Sequence, residues 1–211
     1  GHRQFIHTKE FKDKNMAEAT YKSITPRSVV TITKVKRGKA FQQAPLLYDL
    51  TALQKDCNIH YDLPVDKTLA ITQSLYEKKL VSYPRTGSRY IPQDVMAHIP
   101  VLLEKITAMP EFREYRRSLD LSALNTRSVD AAKVTDHHAV IPTRNIREAD
   151  LSALPVGERA ILELVALRLL CAVAPSYIYD ETSVTVECAG AEFTTKGRTV
   201  KQSGWRALDA A

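Results

Sequence analysis

The sequence has 211 residues, of which 44% are hydrophobic and 26% charged, and a net charge of +6. Those proportions exclude a disordered chain, and the length provides one large domain or two modest ones with a core that needs no staples. Three cysteines (Cys57, Cys171, Cys188) without C-x-x-C spacing argue against a disulfide framework and a cysteine-rich zinc site, and favour a reducing compartment. The longest apolar run, residues 160–174, falls short of the about 20 residues a bilayer span needs and carries Glu163 and Arg168. With no secretory leader at its start, the expectation is a soluble cytoplasmic protein without a membrane partner. Residues 1–46 hold ten Lys/Arg against three Asp/Glu, whereas residues 47–211 hold twenty against twenty-one. A basic first quarter suits a polyanion partner, but on charge alone a solvated lysine-rich surface is the favoured alternative.

In chain order, residues 11–21 read as a short charged helix. Residues 28–35 alternate Val30 and Ile32 with Thr31, Thr33 and Lys34, the period of a strand, and Lys36-Arg37-Gly38-Lys39 closes it as a basic turn. Thr51 and Gln54 match a capping box for a helix through about residue 59. Pro64 and Asp66 open a second helix with Leu69, Ile71, Leu75, Tyr76 and Leu80 along its apolar side. Shorter helical pieces punctuated by Pro92, Pro100 and Pro110 follow, and Pro142 with the polar run to Asp150 marks a boundary. Residues 156–174 are apolar on most sides and predict a buried helix. The tail returns to strands at 183–188, 192–195, 198–201 and 205–208. Strands flanking a helical block predict an α+β fold in which helices are inserted into a β-rich domain, two lobes with a hinge between them.

Two stretches offer chemistry. Residues 81–92 gather Tyr83, Tyr90, Arg85, Arg89, Thr86 and Ser88 in a turn-rich segment. The arginines are forked donors suited to a phosphate, and Tyr83 is a candidate nucleophile toward phosphorus. The competing reading is a surface turn in which Tyr83 packs and the arginines are solvated. Residues 135–143 hold His137 and His138. Adjacent side chains diverge, so the pair is a poor joint metal ligand; one histidine on a phosphate and the other structural is the better functional assignment, with a purely structural pair as the alternative. The sequence has no phosphate-loop motif, only seven glycines, and no D-x-D pair of the kind that holds Mg2+.

In residues 75–92, the sequence resembles the active-site segment of the type IA DNA topoisomerases, and within them bacterial topoisomerase III. Residues 44–54 resemble the family's entry into its helical domain, 136–143 its histidine motif, and Gly204-Trp205-Arg206 the glycine-tryptophan near the end of its arch. The resemblance implies a β-strand arch domain (24–47 and 144–211), an inserted, mostly helical domain (48–143) and an edge segment of a base domain (1–23). It implies that Tyr83 attacks a single-strand phosphodiester to give a 5′-phosphotyrosine link, followed by strand passage and religation without ATP. Arg85 and His137 are then expected at the scissile phosphate, and Thr86, Ser88, Arg89, Lys196 and Arg198 are the expected DNA-binding residues. The family usually has an aspartate where this sequence has Gly87. The resemblance also implies an amino-terminal domain with an acidic Mg2+ cluster and a base domain, neither of which is in these residues. The expectation is therefore a central fragment with no metal ligands of its own and no activity alone, whose partners are single-stranded DNA and those two domains, in a bacterial cytoplasm and on its nucleoid. A binding module for single-stranded DNA, without chemistry, is the alternative.

Overall fold

The computed structural model describes residues 4–148 and 150–209. Gly1 to Arg3, Ala149, Ala210 and Ala211 lie outside the described residues, and with them the ends of the expected edge segment and arch. The chain divides into two compact units, one of Gly1–Gln42 with Ile178–Gln202 and one of Gln43–Tyr177 with Ser203–Ala211. This division differs from the expected one because the described residues of 144–177 and 203–209 group with the helices rather than with the strands.

The strand unit is a four-stranded sheet in the order β1-β4-β3-β2, with β1 at Ile6–His7, β2 at Val30–Gln42, β3 at Tyr177–Cys188 and β4 at Ala191–Gln202. β3 and β4 form a hairpin whose register runs from Ile178↔Gln202 to Cys188↔Ala191. Its two turn residues, Ala189 and Gly190, both have left-handed backbones (φ 51° and 79°), as a type I′ hairpin turn requires. β4 is continuous where the sequence predicted two pieces, because Thr195 to Arg198 keep their pairing through Gly197. β2 likewise runs through Lys36–Lys39, which were expected to turn. It is an edge strand, and an edge tolerates a row of solvated basic side chains. Helix α1, Lys14–Ser23, is capped by Asp13, whose side chain accepts from the Met16 N–H, and starts three residues later than expected.

In the helical unit, α2 spans Leu50–Tyr61. Its cap is Asp49, which accepts the Ala52 N–H at 2.7 Å, not the expected Thr51. A carboxylate at the N-cap also complements the helix dipole, and Gln54 instead donates to the Val65 carbonyl. α3, Val65–Glu77, follows Pro64 and buries Thr68, Thr72 and Leu75. The two threonines pass as apolar because their hydroxyls donate to the carbonyls four residues back, Pro64 and Thr68. Tyr76, expected on the apolar side, is 39% exposed. α4, Gln93–Ala108, runs through Pro100, where a break was expected. Buried Met96, Ile99, Leu102, Leu103 and Ile106 on its inner face hold both halves against the core. A 3-10 segment, Pro110–Ser118, follows and buries Phe112 and Tyr115.

α5, Val156–Val173, is the central helix, with ten buried residues, and α3 packs against it. Its first turn carries buried Glu158, which accepts from Ser74 Oγ at 2.8 Å and pairs with Lys78 Nζ at 2.5 Å, so it fastens the end of α3. Arg168, the charge within the apolar run, pairs with Asp56 on α2 and donates to the Tyr48 hydroxyl, which itself donates to Asp56 at 2.8 Å. Residues 205–208 are not a strand: a turn at Gly204-Trp205 leads into a short helix, Arg206–Asp209, burying Trp205 and Leu208. Gly204 has φ +49°, and a Cβ there would lie 2.4 Å from the Pro175 and Ser176 carbonyl oxygens.

Candidate active site

Three sequence segments meet through their backbones. The Val140 N–H donates to the Tyr48 carbonyl at 2.8 Å, Leu50 to Thr86 at 3.0 Å, Ser82 to Ile141 at 2.9 Å, and Ala139 to Tyr90 at 2.9 Å. The stretches 44–54, 81–92 and 136–143 are thus tied into one framework, since each buried peptide group finds its partner on another segment. Ser82 tightens it by donating to the Ala139 carbonyl and accepting from the Ile141 N–H, both at 3.0 Å.

On this framework the ring of half-buried Tyr83 lies 4.3 Å from that of His137, tilted by 46°. Tyr76 also meets Tyr83, at 5.4 Å and 80°, a near-perpendicular pair. His138 separates from its neighbour as divergent side chains must. Half-buried, with Nδ1 2.8 Å from the Ala139 carbonyl, it lines a cleft of about 220 Å³ with Ser82, His98, Ile99 and Leu102. Arg85 is exposed and has neither an ion pair nor a hydrogen bond among the described residues.

The remaining expected contacts divide by what their side chains already do. Thr86 and Ser88 are 6% and 3% exposed. Thr86 Oγ1 donates to the His137 carbonyl at 2.7 Å and accepts the Ser88 N–H; Ser88 Oγ donates to the Lys133 carbonyl at 2.8 Å. These hydroxyls bond within the framework and tie the Tyr83 segment to the His137 segment, which supports the loop. Arg89 is also turned inward, its Nε donating to the Leu47 carbonyl at 3.0 Å. Arg127 does the same for the Ala44 carbonyl. Lys196 and Arg198 belong to the strand unit, where each lies 3.5 Å from Glu181 and Arg198 covers the Tyr179 ring. Gly87 is exposed and a Cβ there would meet nothing within 4 Å, so the family's usual aspartate is not excluded by space.

Burial sets the chemistry of the neighbouring groups. It pushes the Tyr48 hydroxyl far above the usual phenol range; Arg168 opposes the shift and Asp56 adds to it. The Cys57 and Cys171 thiols are pushed up to about 11 and about 12 by the same cause, which makes them packing residues rather than nucleophiles. Among the described residues no group of three or more His, Cys, Asp or Glu converges to hold a metal ion, so these residues do not fit a Mg2+ site. None of the described helices is long and apolar enough to cross a membrane.

Sequence reasoning missed Tyr76 and Arg127. Tyr76 is seven residues before Tyr83, and a helix separated from its neighbour by a reversing turn brings such positions together. Arg127 lies in a polar stretch with no motif.

A family model described as DNA topoisomerase matches residues 2–211. DNA topoisomerase 3 of Bacillus subtilis is 38% identical over 185 residues, 86% of this chain and 25% of that protein. DNA topoisomerase 3 of Bacillus licheniformis is 40% identical over 185 residues, covering 87% and 25%. The chain thus spans about a quarter of the length of these relatives. The full-length topoisomerase I from Thermotoga maritima has the same fold over 99% of this chain and 34% of its own, with a TM-score of 0.69 at 17% identity. With nearly every residue matched by the family model, and the tyrosine, histidine and glycine-tryptophan segments in their expected order, the chain belongs to the type IA DNA topoisomerase family.

Proposed function

We propose that this chain is the strand-cleaving gate segment of a DNA topoisomerase, with Tyr83 as nucleophile. The Tyr83 oxygen bonds to the phosphorus of a single-strand phosphodiester and the bond to the 3′ oxygen breaks. The proton lost by the phenol is matched by one gained at the new 3′-hydroxyl, and the strand is held as a 5′-phosphotyrosine ester. Exchanging one ester for another keeps the bond energy, so religation needs no ATP. Exposed Arg85, two residues on, provides the forked donor for the phosphate, and His137 donates a hydrogen bond to it as charge builds in the transition state. Thr86, Ser88 and Arg89 hold the loop; Lys196 and Arg198 are available to the DNA backbone elsewhere on the chain.

The observation that carries this reading is the contact of the Tyr83 and His137 rings, at 4.3 Å, on two segments joined by partly buried hydrogen bonds. Mg2+ and its acidic ligands, along with the base domain, are assigned to segments outside this chain, and so is full activity in a bacterial nucleoid. In the intact protein the helical unit carries the phosphotyrosine away from the free 3′ end and lets another strand pass.

The test substitutes this chain for the matching quarter of Bacillus subtilis DNA topoisomerase 3 and presents a single-stranded oligonucleotide labelled at its 3′ end. Label retained on the protein in denaturant, and lost in Tyr83→Phe, is the expected result. An oligonucleotide that binds this protein but is never captured overturns the nucleophile assignment and leaves a binding module.

A further inference from the structure

We propose that Tyr76 is a positioning residue for the cleavage step: its ring and that of His137 both pack on the Tyr83 ring and restrict where the phenol oxygen points. The inference rests on the reading of Tyr83 as nucleophile. Tyr83 meets His137 at 4.3 Å and 46°, and Tyr76 at 5.4 Å and 80°. The second geometry is that of an edge-to-face aromatic pair, the favourable arrangement of two quadrupoles. A ring packed against two neighbours loses freedom to move, so its hydroxyl stays longer in an orientation suited to attack.

Tyr76 can do this only if its own backbone is fixed, and the end of α3 is held by several bonds. Leu75 beside it is fully buried. Lys79 takes a left-handed backbone, φ 59°, and its N–H caps the Tyr76 carbonyl at 2.8 Å, while the Leu80 N–H caps Leu75 at 2.9 Å. Ser74 and Lys78, on either side, both bind Glu158 of α5. Thr143, at the end of the histidine segment, donates its N–H to the Leu80 carbonyl and its hydroxyl to the Lys79 carbonyl. The three rings therefore stand on one bonded frame, yet Tyr76 itself remains 39% exposed, an aromatic side chain left at the surface where it meets Tyr83.

The experiment uses the same substituted Bacillus subtilis protein with Tyr76→Leu and Tyr76→Phe, each with and without 3-fluorotyrosine at position 83. Single-turnover capture of the 3′-labelled oligonucleotide gives the cleavage rate, and equilibrium binding gives its Kd. Tyr76→Leu is expected to slow cleavage about tenfold with Kd unchanged and to shift the fluorine resonance; Tyr76→Phe restores both rate and resonance. A Leu variant cleaving at the parental rate, or a Phe variant as slow as Leu, overturns the proposal. A parent that binds but captures nothing overturns the Tyr83 reading itself.

Discussion

Gly204→Ala is expected to loosen the helical unit, and its cost can be worked from position. The residue has φ +49°, where an alanine is disfavoured by about 1 kcal/mol. The new Cβ would also lie 2.4 Å from two backbone oxygens, Pro175 and Ser176, and 2.6 Å from the Ser176 carbonyl carbon. Backbone cannot swing aside as a side chain does, so one of the two peptides must move. The Trp205 N–H donates to that same Pro175 carbonyl at 2.9 Å, so its shift weakens a bond worth about 1 kcal/mol. It also unseats Trp205, which is 9% exposed, so the total reaches about 3 kcal/mol. For a chain of this size that lowers Tm by about 6–12 °C. Gly87→Ala is the internal control: its φ is outside the left-handed region, its Cβ would meet nothing within 4 Å, and its stability stays within about 0.5 kcal/mol of the parent. Urea and thermal denaturation of the two variants side by side decide the matter. Equal effects, or a Gly204→Ala loss below about 1 kcal/mol, would refute the close-approach argument.

Thr86→Val leaves the His137 carbonyl and the Ser88 N–H without their partner, which should cost about 1–3 kcal/mol in urea denaturation while oligonucleotide affinity of the folded protein holds; a weakened affinity without a stability loss would restore Thr86 as a DNA contact. Burial pushes the Glu158 carboxyl up, but hydrogen bonds from Lys78 and Ser74 and the lysine charge outweigh it and hold the group below the usual glutamate range. Its stabilisation is therefore full above the unfolded value and is lost as pH falls through the depressed folded one, so Glu158→Gln flattens the acid limb of the stability curve; an unchanged limb counts against the clamp. Asp56→Ala strands the partly buried Arg168 beside Tyr48 and should cost about 2–4 kcal/mol, whereas adding Arg168→Met recovers part of it; additive losses in this double-mutant cycle would deny the coupling.

Much of the framework was legible because hydrophobic period carries through locally. The apolar run of α5 and the alternation at the end of β3 predict their elements, and divergence of adjacent side chains anticipates that His137 and His138 part company. What was not legible depends on choices between nearby, equally suitable groups. Asp49 and Thr51 are both good caps, and only the framework bond from Leu50 to Thr86 sets the start of α2 at Leu50. Pro100 reads as a break until the apolar residues on both sides of it are seen to share one buried face. The site shows the same limit: Thr86, Ser88 and Arg89 have the chemistry of phosphate contacts, and nothing local in the sequence tells that their donors bond to backbone carbonyls of distant segments. Trp205 to Leu208 alternate like a strand over too few residues to distinguish a short helix, whose path is dictated by the turn at Gly204.

The long edge strand β2 has a colloidal consequence. Its outer edge has no further strand among the described residues, and Val30, Ile32 and Phe41 along it are 57%, 63% and 66% exposed. Such an edge invites a second copy to add strand to strand, at the spacing of about 4.8 Å at which strands pair. Lys34, Lys36, Arg37 and Lys39 occupy the middle of it, so an antiparallel approach centred there sets cation against cation. At about 0.1 M salt the Debye length of about 10 Å exceeds that spacing and the repulsion guards the edge; at about 1 M it shrinks to about 3 Å and the guard is lifted. Concentrated salt, which strips nucleic acid from basic proteins during purification, is for this chain also the condition that favours sticking to itself.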